Sequence, residues 1–190
     1  APRTRPEHGA VVGHARLPER EVGQRFLVVF IAAHAFADTH PPHAREVMPV
    51  APAELGDSIA DVGDGISEVI AVDPDLTGMG TTVTGIYWLG QRIAVVHVGD
   101  SRAYLLRDAE LSQITHDHTY VQTLVDAGRI TEEEATVHPR RSLLMRALDG
   151  MNPVEADLSV REARAGDRYM LCTDGLSGVV RNDEIGSILA

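Results

Sequence analysis

Two segments of the chain, Val95 to Arg102 (VVHVGDSR) and Tyr169 to Leu176 (YMLCTDGL), follow one plan: an apolar run that stops at an Asp beside a Gly or Ser. Runs of β-branched and aromatic residues this short read as buried strands rather than helices. A buried strand that ends on a carboxylate delivers a hard oxygen ligand to the rim of a sheet, and hard oxygens are what Mg²⁺ and Mn²⁺ take. Asp100 and Asp174 are therefore the first candidates for chemistry. The alternative is that each Asp only starts a turn, since Gly-Asp and Asp-Gly are common turn dipeptides.

The sequence between these segments is rich in strand signals. Thr81 to Leu89 and Arg92 to Val98, joined by Gly90-Gln91, predict a hairpin, and Arg102 to Arg107 with Glu110 to Ile114, joined around Asp108-Ala109, predict another. Together they read as one antiparallel meander. Leu55, Ile59, Val62, Ile66, Val69 and Ile70 recur at helical spacing and predict an amphipathic helix over 54–72 that covers the sheet, despite Gly56, Gly63 and Gly65. Thr119 to Ala127 is also helical in spacing with Gly128 as its C′ residue, and Thr131-Glu-Glu-Glu134 is a capping box opening a second short helix. His138-Pro-Arg-Arg-Ser142 makes an exposed basic turn, Tyr169 to Cys172 returns as a buried strand, and Asn182 or Asp183 caps a final helix. Upstream, Phe26 to Ile31 reads as a strand and residues 1–23 as loop or frayed edge, while Pro41, Pro42, Pro49 and Pro52 interrupt the segment between.

A chain of 190 residues with 44% hydrophobic content fits a single globular domain. Seventeen basic against 28 acidic residues give a net charge of −11, which disfavours nucleic acid and anionic membrane surfaces as partners. Cys172 is the only cysteine, which excludes an intrachain disulfide and fits the reducing cytoplasm. Inside its apolar run it reads as a small buried thiol rather than a nucleophile. The longest apolar stretch, Phe26 to Ala37, is too short to span a bilayer, and the Pro/Arg/His-rich start lacks the pattern of a signal peptide. The expectation is a cytoplasmic protein with no membrane span in this chain.

Taken in order, Gly78-Met-Gly-Thr-Thr82, VHVGDSRAYLLRD (96–108), Tyr120-Val-Gln-Thr-Leu124 with VDAGRIT, HPRRSLLMRALDG (138–150) and GDRYMLCTDGLSGVV (166–180) resemble the bacterial metal-dependent Ser/Thr protein phosphatases of type 2C, the PPM family. The likeness is to the actinobacterial branch that opposes Ser/Thr kinases. It covers about residues 68–189, matches residues 1–53 poorly, and makes 1–190 a single PPM-type domain.

The resemblance implies an α+β fold, an αββα sandwich of two antiparallel sheets flanked by helices, with two or three Mg²⁺ or Mn²⁺ ions at one end. A metal-activated water there attacks the phosphorus of phosphoserine or phosphothreonine in phosphorylated proteins, without a covalent phosphoenzyme. By the same resemblance Asp174 is a shared metal ligand, Gly175 lets the backbone turn at the metal, and Asp100 is an additional, weaker ligand. Thr81 and Thr82 shape the core. Residues 117–150 correspond to a flap beside the groove, where Arg140 and Arg141 meet a phosphopeptide, and a Ser/Thr kinase is an implied partner.

The chain departs from the family pattern where the chemistry lies. The family's opening Arg and Asn-Glu-Asp segment has no counterpart in residues 1–24. Its Ala-Asp-Gly-Met-Gly-Gly-His motif is replaced by Phe30-Ile-Ala-Ala-His-Ala-Phe36, which puts Ile31 where the metal-bridging carboxylate is expected. The closing Asp-Asn motif and last strand would lie past Ala190, so the sandwich is expected to be incomplete at both ends. Two carboxylates out of a larger set bind Mg²⁺ weakly, because a cation that sheds water needs several anionic oxygens. The catalytic residues stay unassigned on this reading. His34, Asp38, His40 and His43 offer a second donor set, against the reading of an ordinary polar loop. Three readings follow: an active phosphatase, a non-catalytic relative that binds phosphoproteins or kinases, and a truncated, degenerate product.

Overall fold

The computed structural model describes residues 12–16, 27–34 and 52–190. Within them the strands are β1 (Val12–Arg16), β2 (Leu27–His34), β3 (Gly80–Leu89), β4 (Arg92–Val98), β5 (Arg102–Arg107), β6 (Glu110–Gln113), β7 (Asp157–Glu162) and β8 (Arg168–Cys172). The helices are α1 (Pro52–Val72), α2 (Tyr120–Asp126), α3 (Glu132–Val137), α4 (Asp174–Ser177) and α5 (Asn182–Leu189). Two four-stranded antiparallel sheets result, in the orders β1-β8-β5-β6 and β2-β3-β4-β7.

Both expected hairpins form, but they do not make one meander. β4 pairs with β7 and β5 pairs with β8, so the chain changes sheet within Gly99-Asp100-Ser101. The reason lies in burial: six of seven residues of β4 and the four central residues of β5 are buried on both strand faces. A strand apolar on both sides needs cover on both sides, which a single sheet with one wet face does not supply. Ile86, Trp88, Ile93, Val95, Ala103, Leu105, Tyr169 and Leu171 fill the space between the sheets. Trp88 meets the Tyr169 ring edge to face at 5.7 Å, a geometry that adds about 1 kcal/mol beyond its area.

The outer faces carry the helices. Ile59, Val62 and Ile66 of α1 cover Val83, Val96 and Val98 of one sheet, as the helical spacing requires, whereas Val69, expected on the same face, is exposed because the helix runs past the sheet. Ile185 of α5 covers Tyr104, Met170 and Cys172 of the other, which makes Cys172 the buried thiol expected. Burial pushes that thiol up to about 11, so it stays protonated at neutral pH.

Three elements differ from expectation. Residues 12–16, read as loop, form β1 against β8, and their Gly, His and Arg hid the strand pattern. The β7 strand was not foreseen, because an edge strand with the sequence DLSVRE leaves Leu158 and Val160 exposed and alternates poorly. The last helix starts behind Arg181, whose amide donates to the Glu184 carboxylate at 3.3 Å, so neither Asn182 nor Asp183 is its cap. Elsewhere the local signals hold: Thr119 caps α2, Gly128 follows it at φ +64°, and Thr131 with Glu134 forms the capping box of α3.

Candidate active site

The inward rows of side chains turn polar at one end of the sandwich. On β3 the row Ile86, Trp88 continues as Thr84 and Thr82, on β4 the row Ile93, Val95 continues as His97, and all three polar residues are buried. Asp100 and Asp174 stand at this end. The β5–β8 ladder closes on the pair Arg102 and Cys172, and each carboxylate lies two residues past that pair on its own strand. Neighbouring strands thus deliver both to the same rim, and both are half-buried. Gly175 follows Asp174 in the first turn of α4.

The turn that carries Asp100 is held from both sides. On one side Ser101 takes a side-chain hydrogen bond with Thr82 at 2.7 Å, and its carbonyl accepts from the Thr84 hydroxyl at 2.9 Å. On the other, Gly99 has φ +108°, and a Cβ there would stand 2.2 Å from the Thr82 methyl carbon. Only glycine fits that approach. The Gly99 amide donates to His118 Nδ1 at 3.1 Å and its carbonyl accepts from the His118 amide at 2.8 Å.

These bonds fix the tautomers of two stacked histidines, His97 and His118, whose ring centroids are 4.8 Å apart. An amide only donates, so His118 Nδ1 is an acceptor and its proton sits on Nε2, 3.1 Å from Asp157 Oδ2. Arg146 secures the other Asp157 oxygen at 2.7 Å. Burial works against the Asp157 charge, but the His118 and Arg146 contacts hold its carboxyl below the usual range. For His97, Thr84 has spent its proton on Ser101, so Nδ1–H donates to Thr84 at 2.9 Å. His97 Nε2 then carries a lone pair with no hydrogen-bond partner among the described residues. Burial, reinforced by His118, pulls the His97 pKa down to about 4, so the ring is neutral at physiological pH.

The flap segment joins the same end. Arg102 forks onto the buried Asp117 through contacts of 3.0 and 2.7 Å, and burial of the guanidinium is outweighed by that carboxylate, which raises its pKa. Met145 donates to the His118 carbonyl at 2.8 Å and Thr119 bridges Leu144, so residues 143–146 run directly behind His118. Arg140 and Arg141 lie in the exposed turn after α3, with the Arg140 guanidinium 5.7 Å above the Tyr120 ring.

Asp100 and Asp174 suit a hard divalent cation in charge and atom type. Among the described residues, no three His, Cys, Asp or Glu side chains converge into an ion-holding group. A hard divalent cation held by these two carboxylates would need further oxygen ligands to complete its shell. Ile31 pairs with Val83 and the strand runs on to His34 opposite Gly80, whereas Asp38, His40 and His43 lie outside the described residues. His118, Thr84 and Ser101 were missed as site residues. Their signal was two threonines on the inward face of an apolar strand and a His-Asp-His run at 116–118, in the loop after β6.

The comparisons with known proteins place this two-sheet sandwich in a family. Residues 66–188 match the family Protein phosphatase 2C, and the chain belongs to that family. It is 57% identical over 133 residues to the serine/threonine protein phosphatase PstP of Mycobacterium tuberculosis, covering 70% of this chain and 26% of that protein. To the serine/threonine phosphatase stp of Listeria monocytogenes it is 38% identical over 135 residues, 71% of this chain and 54% of that one. The chain thus spans about a quarter to a half of the length of these relatives. The catalytic domain of mycobacterial PstP in complex with two manganese ions superposes with a TM-score of 0.73 at 38% identity, over 95% of this chain and 84% of that domain. The serine/threonine phosphatase of S. agalactiae gives 0.77 at 28% identity, over 99% and 82%.

Proposed function

We propose that this chain is the core of a metal-dependent phosphoprotein phosphatase that hydrolyses phosphoserine and phosphothreonine. The observation that carries the reading is the delivery of Asp100 and Asp174 to one rim by adjacent strands of one sheet. In this reading Asp174 and Asp100 hold Mg²⁺ or Mn²⁺, with Gly175 allowing the chain to turn beside them. A cation so held supplies Lewis-acid activation of water and neutralises charge on the phosphoryl oxygens. The chain's own groups do the rest. Thr82, Thr84 and His118 keep the Asp100 turn fixed, so no reorganisation is needed when charge arrives. Arg140 and Arg141, on the exposed flap turn, meet the phosphopeptide. Support comes from the relatives, one of which was solved with two manganese ions. Phosphorylated proteins are then the substrates, a Ser/Thr kinase is the opposing partner, and the single buried thiol fits a cytoplasmic setting. No described helix is long and apolar enough to cross a membrane.

The two-carboxylate donor set favours a second reading, in which the chain keeps the fold and binds phosphoproteins or kinases without turnover. Hydrolysis of a phosphothreonine peptide by the 190-residue chain, with Mn²⁺, with EDTA and with Asp174→Ala, separates the two. Mn²⁺-dependent phosphate release lost in both controls supports catalysis. Saturable peptide binding by a folded chain that releases no phosphate supports the second.

A further inference from the structure

We infer that His118 is a positioning residue for Asp100, acting through the Nδ1 lone pair that anchors the Gly99 amide. The inference rests on the metal-site reading above but reaches a residue outside the donor set proposed there. Asp100 itself sits between two clamped neighbours: Ser101 is tied to Thr82 and Thr84 of β3, and Gly99 is tied to His118. The β3 ties belong to the same sheet as β4. The His118 tie comes from the other direction, from the loop behind β6, and it is doubled, since the His118 amide also donates to the Gly99 carbonyl at 2.8 Å. A glycine at φ +108° has no side chain of its own to limit its rotation, so these two bonds help set the direction in which the next residue leaves. His118 accepts only in the tautomer with Nε2–H, and Asp157 at the start of the edge strand β7 selects it by accepting that proton; Arg146 Nη1, 3.3 Å from Nε2, directs its own donor to Asp157 Oδ1 at 2.7 Å. The line Arg146, Asp157, His118, Gly99 therefore runs from the flap to the residue beside the carboxylate.

The two ring nitrogens can be tested separately. In His118→Asn the side-chain oxygen takes the place of Nδ1 and can still accept from Gly99, while the bond to Asp157 is lost. In His118→Gln the amide reaches the place of Nε2 and keeps Asp157, while the Gly99 acceptor is lost. Two readouts are taken on each variant and on the parent chain: amide hydrogen exchange at Gly99 and Asp100 without metal, and Mn²⁺ affinity by water-proton relaxation. The expected result for His118→Gln is exchange about tenfold faster and Mn²⁺ affinity about tenfold weaker, the usual size of an outer-shell loss. His118→Asn stays within about threefold of the parent in both, on the same scale. Equal behaviour of the two variants, whether both like the parent or both impaired, overturns the assignment to Nδ1. A parent chain that binds no Mn²⁺ overturns the metal-site reading instead, and the exchange rates alone then decide whether His118 holds the turn.

Discussion

Arg107, the last residue of β5, forks onto Asp167, the residue before β8, with Nε 2.8 Å from Oδ1 and Nη2 2.7 Å from Oδ2. Asp167 is 2% exposed and also accepts from the Arg164 amide at 2.8 Å and the Tyr169 hydroxyl at 2.9 Å. The β5–β8 pair is thus pinned at the end away from Asp100 and Asp174. Burial opposes the Asp167 charge, but these donors hold its carboxyl below the usual range. A carboxyl whose folded pKa is depressed contributes stability above its unfolded pKa and loses it as pH falls through the folded one. Asp167→Asn, which strips the buried end of the Arg107 fork of its charge, should lower unfolding free energy in urea by about 3 kcal/mol at neutral pH. The deficit should shrink in acid.

His97 titrates in a different window. Its folded pKa is about 4 against an ordinary 6.5, with burial as the main cause and His118 adding to it. The unfolded chain takes up this proton below pH 6.5 and the folded chain does not, so stability falls as pH drops from about 6.5 to about 4, by on the order of 3 kcal/mol. His97→Asn keeps a donor for Thr84 and removes the titration. Urea midpoints across that range should be flatter for the variant than for the parent.

Gly99→Ala should destabilise by about 3 kcal/mol, because the new Cβ meets the Thr82 side chain in addition to adopting positive φ. Gly90→Ala is the control. Gly90 also has positive φ, at +68°, but nothing lies within 4 Å of its added Cβ, so its loss should be about 1 kcal/mol. Equal losses in thermal or urea unfolding would show that the close approach to Thr82 is not what requires glycine.

Millimolar Mn²⁺ should raise the melting temperature of the parent chain by mass action, and Asp174→Ala should abolish the rise. Calorimetry in Mn²⁺ and in EDTA reads both. A rise that survives Asp174→Ala would locate the cation elsewhere.

Replacing Arg102 with Lys should cost about 2 kcal/mol, since a single ammonium cannot reproduce the fork onto Asp117. Denaturation of Arg102→Lys against Arg102→Met would separate lost geometry from lost charge.

What the sequence conveyed well was local. The tips at Gly90-Gln91 and Asp108-Ala109, the Thr131 capping box and the α1 face all rest on chemistry within a few residues, and each formed where its pattern stood. Sheet membership was not legible in that way. VVHVGDSRAYLL contains no signal that the ladder partner changes at Asp100, because the decision is made by β7 and β8, which lie far along the chain. The edge strands β1 and β7 escaped for a related reason: a strand paired on one side tolerates Gly, Arg and Glu that blur alternation. In the site, the carboxylates announced themselves by ending apolar runs. The histidine behind them did not, since its role depends on a contact to a backbone amide that no residue pattern encodes.

The switch of sheet at 99–101 has a counterpart at the opposite end, where the chain returns from β7 to β8 through 163–167. Laced in this way, neither described sheet occupies a continuous stretch of sequence: one draws on 12–16, 102–113 and 168–172, the other on 27–34, 80–98 and 157–162. A chain emerging from the ribosome holds two long-range pairings in suspense while β4 waits for β7 and β5 for β8. The described part of one sheet closes with β7 and that of the other only with β8, so the rim on which Asp174 stands forms after the sheet that faces it.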